Sequence, residues 1–429
     1  MHHFQFRNNE LYCEDVPVRA IAAEVGTPCY IYSCATLGHH FTVFDSAFKD
    51  VPHLTCYSVK ANSNIAILKL FGSMGGGMDI VSGGELFRAR MAGIAPEKIV
   101  YSGVGKTVHE IDYALRENIL MFNIESVQEL EAINRRAAAM GVKARISLRV
   151  NPDIDPNTHP YISTGMKKNK FGIAIDNAFK AYEKARGLKN IEILGVDCHI
   201  GSQLTEVAPF VDALKRLRAL IERLREKGIE VRYLDLGGGL GIVYDQEEPP
   251  QPHEYAAAIL RELEDIRCTL VFEPGRVIVG NAGILVTKVL YTKNTPSKNF
   301  VVADAAMNDL VRPSLYGSYH YIQPVARSQK ETQIVDVVGP ICESGDFLAK
   351  DRGLPVPTAG EYLAVMSAGA YGFSMSSNYN SRPRAAEVLV RGGEYFVVRK
   401  RETWEDLVRL ETIPDFLDGP GPFPVPARG

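Results

Sequence analysis

The chain of 429 residues holds 48 basic and 51 acidic side chains, a formal net charge of −3, with 46% hydrophobic residues. Basic residues are spread rather than clustered, which argues against nucleic acid or a membrane surface as a partner, and the length fits two domains rather than one core. No stretch approaches the roughly eighteen apolar residues that span a bilayer, the N-terminus has no apolar signal core, and a cytoplasmic location is expected.

Seven cysteines occur without a C-x-x-C pair or Cys/His metal spacing, so neither disulfides nor a metal site is expected. Residues 1–35 carry short β-like pieces, among them Glu10-Leu11-Tyr12 and Cys29-Tyr30-Ile31-Tyr32, expected to join a β domain formed elsewhere. A helical segment over 37–48 follows. Strand patterns then recur at 54–59, 78–81, 99–101, 120–123, 145–150, 193–199, 232–236 and 269–273. Helical patterns lie between them, for example at 65–74, 108–117, 127–141, 207–227 and 255–266. Eight βα repeats without a G-x-G-x-x-G after the first strand predict an α/β fold built on a closed (β/α)8 TIM-type barrel. Beyond Arg276 the helical period gives way to short strand patterns at 277–290, 299–304, 332–338, 361–366, 386–389 and 395–398. The predicted organisation is a barrel at 36–280 and an all-β domain made of 1–35 with 281–429. The Pro/Gly-rich tail at 419–429 reads as loose.

Polar and glycine-rich residues gather just after the strands: Lys60-Ala61-Asn62, Ser82-Gly83-Gly84-Glu85, Ser102-Gly103, Asn151-Pro152, His199-Ile200-Gly201-Ser202, Gly237-Gly238-Gly239 and Glu273-Pro274-Gly275-Arg276. In a barrel these meet at one face, the face that carries sites. Turn chemistry accounts for most of the glycines. It does not account for a lysine, a histidine, a glutamate and an arginine converging there. A lysine at a strand end ordinarily reaches to water, but in this company Lys60 suits a Schiff base to an aldehyde cofactor.

These motifs, together with Asn308-Asp309-Leu310-Val311-Arg312-Pro313, Leu315-Tyr316-Gly317, Cys342-Glu343-Ser344-Gly345-Asp346 and Gly369-Ala370-Tyr371-Gly372, resemble the barrel-fold pyridoxal-phosphate-dependent decarboxylases over nearly the whole chain. Within that family the resemblance is to the enzymes acting on meso-diaminopimelate, with ornithine and arginine decarboxylases and alanine racemase-like proteins as relatives. One departure is Asp197-Cys198 ahead of His199, where relatives often carry histidine or another small residue.

The resemblance implies pyridoxal 5'-phosphate as cofactor, carried by Lys60, with His199 stacked on its ring and Glu273 facing the pyridine nitrogen. An anion at that nitrogen favours the protonated ring and a strong electron sink, whereas related racemases use an arginine there. Gly238, Gly239, Gly275 and Arg276 are implied to hold the phosphate through an anion nest. Ser202 suits either an added hydroxyl on that phosphate or an ordinary turn, and Tyr371 is implied to touch cofactor and substrate. Cys342 matches the family's proton donor, supplied by the neighbouring subunit of a homodimer with shared sites. Arg276, Arg312, Tyr316, Glu343 and Tyr371 would select the substrate, the arginines pairing with a distal carboxylate and Glu343 with a distal ammonium. The implied reaction converts meso-2,6-diaminopimelate to L-lysine and carbon dioxide, the last step of lysine biosynthesis. The alternative is a related decarboxylase acting on ornithine, arginine or a carboxylated polyamine.

Overall fold

A computed structural model describes residues 2–154, 169–263 and 266–417. The tail at 419–429, expected to be loose, and residues 155–168, which follow the Asn151-Pro152 motif, lie outside the described residues.

Eight parallel strands form a closed barrel: His53–Ser58, Gly77–Ile80, Ile99–Tyr101, Met121–Ile124, Ala144–Asn151, Ile191–Asp197, Tyr233–Asp235 and Thr269–Phe272. The ring shuts where the last strand pairs with the first, Val271 opposite Leu54. Parallel neighbours require long crossovers, and seven helices supply them: Ile65–Ser73, Gly83–Met91, Val108–Glu117, Val127–Met140, Ile175–Arg186, Ala208–Glu226 and Pro252–Glu262. Several start where the sequence provides a cap. Ser82, Thr107 and Ser126 accept the backbone N–H of Glu85, Glu110 and Glu129, each such cap contributing about 1 kcal/mol. Gly83–Met91 and Ile175–Arg186 fill places in the βα repeat that were not among the helices named as examples. The first buries only Leu86 and Ala89, and the second relies on three alanines and Tyr182, so neither shows a strong apolar stripe.

Side chains two apart on a strand share a face, and along several strands that face changes character as it rises. Cys56, Val100, Met121 and Val271 belong to one small apolar cluster. Two residues further on stand Ser58, Ser102, Asn123 and Glu273, all buried. The barrel interior is therefore apolar below and polar at the end where the strands finish.

The second sheet runs in the order Phe347–Pro355, Thr332–Val338, Asn299–Ala303, Gly283–Asn294, Cys29–Ser33, Ala386–Arg391 and Glu394–Arg399. Cys29–Ser33 joins it, antiparallel to one neighbour and parallel to the other. Phe4–Arg7, Glu10–Cys13 and Val16–Pro17 instead make a separate three-stranded sheet. The strand expected from residue 277 starts later. Arg276–Val279 is a helical turn and the strand opens at Gly283, because a short apolar run does not reveal which of the two it forms. Strand Phe347–Pro355 was absent from the sequence expectations, since its Lys-Asp-Arg centre breaks any apolar run. A loop after this sheet's strand Tyr362–Val365 lies on the barrel: Tyr371 N donates to Ala61 O at 2.8 Å, and Asn62 Nδ2 to Gly369 O at 3.2 Å.

Candidate active site

Strand His53–Ser58 ends in a single 3-10 turn, Val59–Ala61, which turns Lys60 into a cavity of about 180 Å3. Ser58, Lys60, His199, Ser202, Gly239, Leu240, Glu273, Gly275, Arg276, Arg312, Tyr316 and Tyr371 line it. Lys60 Nζ donates to Asp79 Oδ2 at 2.8 Å, and Ser58 Oγ donates to the same oxygen at 2.6 Å. Withdrawal from water opposes the lysine's charge, but the carboxylates of Asp79 and Glu273 outweigh it and raise its pKa above the usual value.

Glu273 closes the floor of the cavity. Its Oε1 accepts from Ser102 Oγ at 3.1 Å and from Asn123 Nδ2 at 3.2 Å. Burial, reinforced by the Asp79 charge, lifts its pKa to about 7, against the pull of Lys60 and Arg149. Asn123 is fixed in turn by Ser147 Oγ, which donates to its Oδ1 at 2.5 Å.

His199 forms a wall. Its Nδ1 accepts from Gly238 N at 3.1 Å, which leaves the hydrogen on Nε2. Withdrawal from water, with the Arg149 and Lys60 charges, holds the imidazole neutral. The glycine run is a packing requirement as well as a turn. A Cβ on Gly238 would overlap the Glu273 carbonyl, and Gly239 has φ +120° with the Gly201 carbonyl beside it.

Two buried guanidinium groups cap the cavity. Arg276 donates to Tyr244 OH at 2.8 Å and to Ser202 Oγ at 3.0 Å, and lies 4.9 Å from the Tyr371 ring centre. Arg312 donates to Ser318 Oγ at 3.2 Å and lies 5.0 Å from the Tyr244 ring centre. Among the described residues no carboxylate pairs with either arginine, and the Nε of each finds no partner. Burial and the Arg276 charge depress the Arg312 pKa. Burial, with the Arg312 charge, drops His320 beneath them to about 3. The electrostatics here ask for an anion.

The structure thus brings together Lys60, His199, Ser202, Gly239, Glu273, Gly275, Arg276, Arg312, Tyr316 and Tyr371, with Gly238 directly behind the wall. It does not bring Cys342 or Glu343 to the same cavity. Cys342 is exposed, its N–H donating to Asn380 Oδ1 at 2.9 Å, and Glu343 is exposed and accepts from Tyr379 OH at 2.7 Å. Sequence reasoning named Ser102 only as one of the strand-end residues and did not single out Asp79, Asn123, Ser147, Asp235 or Tyr244. The first five lie within or just past short strands, where a polar residue reads as a solvent-facing one until the barrel shows which face is inside.

A lysine amine facing the cavity, a neutral imidazole on its wall, a buried carboxyl and a glycine-lined backbone cradle that a Cβ would fill together fit pyridoxal phosphate. Comparison with known proteins agrees. Residues 34–280 match the family described as "Pyridoxal-dependent decarboxylase, pyridoxal binding domain". The chain is 54% identical over 415 residues to diaminopimelate decarboxylase of Vibrio cholerae, covering 96% of this chain and 99% of that one. Similar solved structures include diaminopimelate decarboxylase from Helicobacter pylori complexed with L-lysine, at 44% identity, TM-score 0.89 and coverage of 92% and 98%. Another is the M. jannaschii enzyme in co-complex with L-lysine, at 37% identity, TM-score 0.92 and coverage of 97% and 99%. The chain therefore belongs to the pyridoxal-dependent decarboxylase family, within the group formed by the diaminopimelate decarboxylases.

Proposed function

We propose that this protein converts meso-2,6-diaminopimelate to L-lysine and carbon dioxide, using pyridoxal 5'-phosphate held by Lys60, as a cytoplasmic homodimer. The observation that carries the reading is the pair of buried arginines, Arg276 and Arg312, which face the cavity without a carboxylate partner among the described residues. A substrate with a second carboxylate answers that need, and the relatives' names point to the same substrate. Ornithine and arginine, whose far ends are cationic, do not.

Bound pyridoxal phosphate supplies an electron-withdrawing ring that takes up the electron pair of the breaking Cα–carboxylate bond. The chain's own groups prepare that event. Asp79 holds the Lys60 amine in place, His199 screens one face of the slot, and Glu273 meets the ring nitrogen. The Gly239 and Gly275 amides, with Ser202, would receive the phosphate, with Gly238 keeping its N–H on His199, while Arg276 and Arg312, beside Tyr316 and Tyr371, orient the substrate's carboxylates.

A proton must then reach Cα. We assign it to the Cys342 thiol of a second copy, with Glu343 of that copy binding the distal ammonium. The exposure of both residues supports this, as does their setting. Tyr379, which bonds Glu343, and Leu410, which lines one groove with Asn378 and Glu402, are both exposed, and such a surface calls for a cover. The barrel at 36–280 and the β domain at 1–35 with 281–429 are then complementary halves of two shared sites. Incubating purified protein with meso-diaminopimelate and with ornithine in parallel, and measuring lysine, putrescine and carbon dioxide, tests the reading; turnover of ornithine alone would overturn it.

A further inference from the structure

Arg276 and Arg312 reach the cavity from different domains. Arg276 opens the helical turn Arg276–Val279, just past the barrel strand Thr269–Phe272, whereas Arg312 opens the short helix Arg312–Tyr316 in the β domain. Two buried like charges repel and, unless held, swing apart towards water. Tyr244 meets both. Its hydroxyl oxygen accepts from Arg276 Nη1 at 2.8 Å, with that guanidinium 5.8 Å from the ring centre, and the Arg312 guanidinium lies 5.0 Å from the same centre. A phenol attracts cations through both its oxygen and its electron-rich face. Ser202 and Tyr371 also touch Arg276, and Ser318 and Tyr316 touch Arg312, so Tyr244 is not the sole support of either; its contribution is a contact shared by the two. It is buried and is not among the side chains that line the cavity, so it acts on a substrate through the arginines it holds.

Tyr244 is itself fixed from two sides. On the barrel side its loop is pinned by side chains: the N–H groups of Tyr244 and Asp245 both donate to Glu247 Oε2, at 2.9 and 2.7 Å. Gln203 clasps Ile242, donating to its carbonyl at 2.6 Å and accepting its N–H at 3.2 Å. On the other side the His320 ring of the β domain packs edge-on against the phenol, centre to centre 5.3 Å with the planes 75° apart. His320 is fully buried, and its Nδ1 donates to the Met366 carbonyl at 2.9 Å. Held neutral, it adds no third cation to the pair above it. A tyrosine gripped in this way is a rigid post between the two arginines.

We propose that Tyr244 is a specificity-determining positioning residue, which sets the spacing and aim of Arg276 and Arg312 so that the pair can hold the substrate's distal carboxylate. The inference rests on the substrate reading proposed above and adds to it a residue behind the cavity wall. Two small molecules isolate the effect. L-Lysine and 1,5-diaminopentane carry the same two amino groups on the same five-carbon chain and differ by one carboxylate, so the preference of the site for lysine reads the arginine pair.

Inhibition constants of L-lysine and 1,5-diaminopentane against diaminopimelate turnover, measured on the intact protein loaded with pyridoxal phosphate, test this in Tyr244→Phe and Tyr244→Leu. Tyr244→Phe keeps the ring and loses the hydroxyl; KM for diaminopimelate and the lysine constant should each rise about tenfold, with the loss falling mainly on KM rather than kcat. Tyr244→Leu loses the ring face as well and should raise both by about a hundredfold in all. The diaminopentane constant should move by less than about twofold in either variant, since no carboxylate is there to be held. A lysine constant unchanged in Tyr244→Phe overturns the proposal. So does an equal loss for the two inhibitors, the result that a merely structural role gives. Tyr244→Phe is nearly isosteric and keeps both outcomes measurable if Tyr244→Leu does not fold. Wild-type protein that binds lysine no more tightly than diaminopentane would instead refute the distal-carboxylate reading beneath the proposal.

Discussion

Lys60 Nζ rests 2.8 Å from Asp79 Oδ2, on a carboxylate that is fully buried and that also accepts the Ser58 hydroxyl. An ammonium held in this way is not a nucleophile. The contact that positions the lysine also restrains it, because attack on an aldehyde requires the neutral amine.

Removing that restraint gives the first prediction. Asp79→Asn lowers the Lys60 pKa, so more of the amine is neutral at pH 7, and each unit of lowering is worth about tenfold in reactive amine. Apo-protein carrying Asp79→Asn should take up pyridoxal phosphate faster than wild type at pH 7, with the difference vanishing at high pH. Stopped-flow absorbance measures this, and equal rates across the pH range would refute it. Lys60→Ala should abolish the borohydride-reducible linkage altogether.

Glu273 gives a stability prediction with a definite sign. Its carboxyl is raised from 4.5 to about 7 in the folded chain, so between those values the native state binds more protons than the unfolded one. Stability therefore falls as pH rises through this window, and the ionised group is a liability above it. Glu273→Gln removes the liability. Apo-protein carrying it should be more stable than wild type at pH 8, by up to about 3 kcal/mol for 2.5 units, with the gain lost below pH 4.5. Denaturant melts at pH 5 and pH 8 decide the matter, and equal gains at the two values would sink the assignment. Decarboxylation should drop in the same variant, an exchange of stability for function.

The division between what could and could not be read from the sequence follows one physical line. Lys60, His199, Glu273 and Arg276 stand just past the ends of apolar runs, where a chemically active residue is conspicuous, and the eight βα repeats bring strand ends to one face. Asp79, Asn123, Ser147 and Asp235 sit inside short strands. Alternation tells that a side chain is on one of two faces, but only ring closure tells which face is the interior. Tyr244 was illegible for another reason. It lies in a loop without regular structure, and its place against Arg276 and Arg312 depends on the β domain's docking.

The arginines supply a prediction about substrate affinity. Each is buried and lacks a carboxylate among the described residues, so the substrate's own carboxylate is the natural counterion. Losing a charge-assisted bidentate pair costs about 2–4 kcal/mol in kcat/KM. Arg312→Ala should lose that much with diaminopimelate, and Arg312→Lys should recover only part, since an ammonium cannot present two parallel donors. Unchanged efficiency in Arg312→Ala would remove the distal-carboxylate reading.

The last prediction concerns the shared site. Cys342 is exposed and outside the cavity that Lys60 enters, and in the proposed assignment a second copy brings its thiol to Cα. Each chain then supplies Lys60 to one site and Cys342 to the other, reciprocally about a twofold axis. Lys60→Ala and Cys342→Ala proteins should each be nearly inactive. Mixed in equal amounts under conditions of subunit exchange, about half the dimers pair one of each. In such a dimer one site combines the intact Lys60 with the intact Cys342, and the other lacks both. Activity should therefore recover to about one quarter of wild type, half the dimers each with half their sites. Exchange shown by mass spectrometry without any recovery would place both residues in one chain's site. A recovery near one quarter is the value that reciprocal sharing requires.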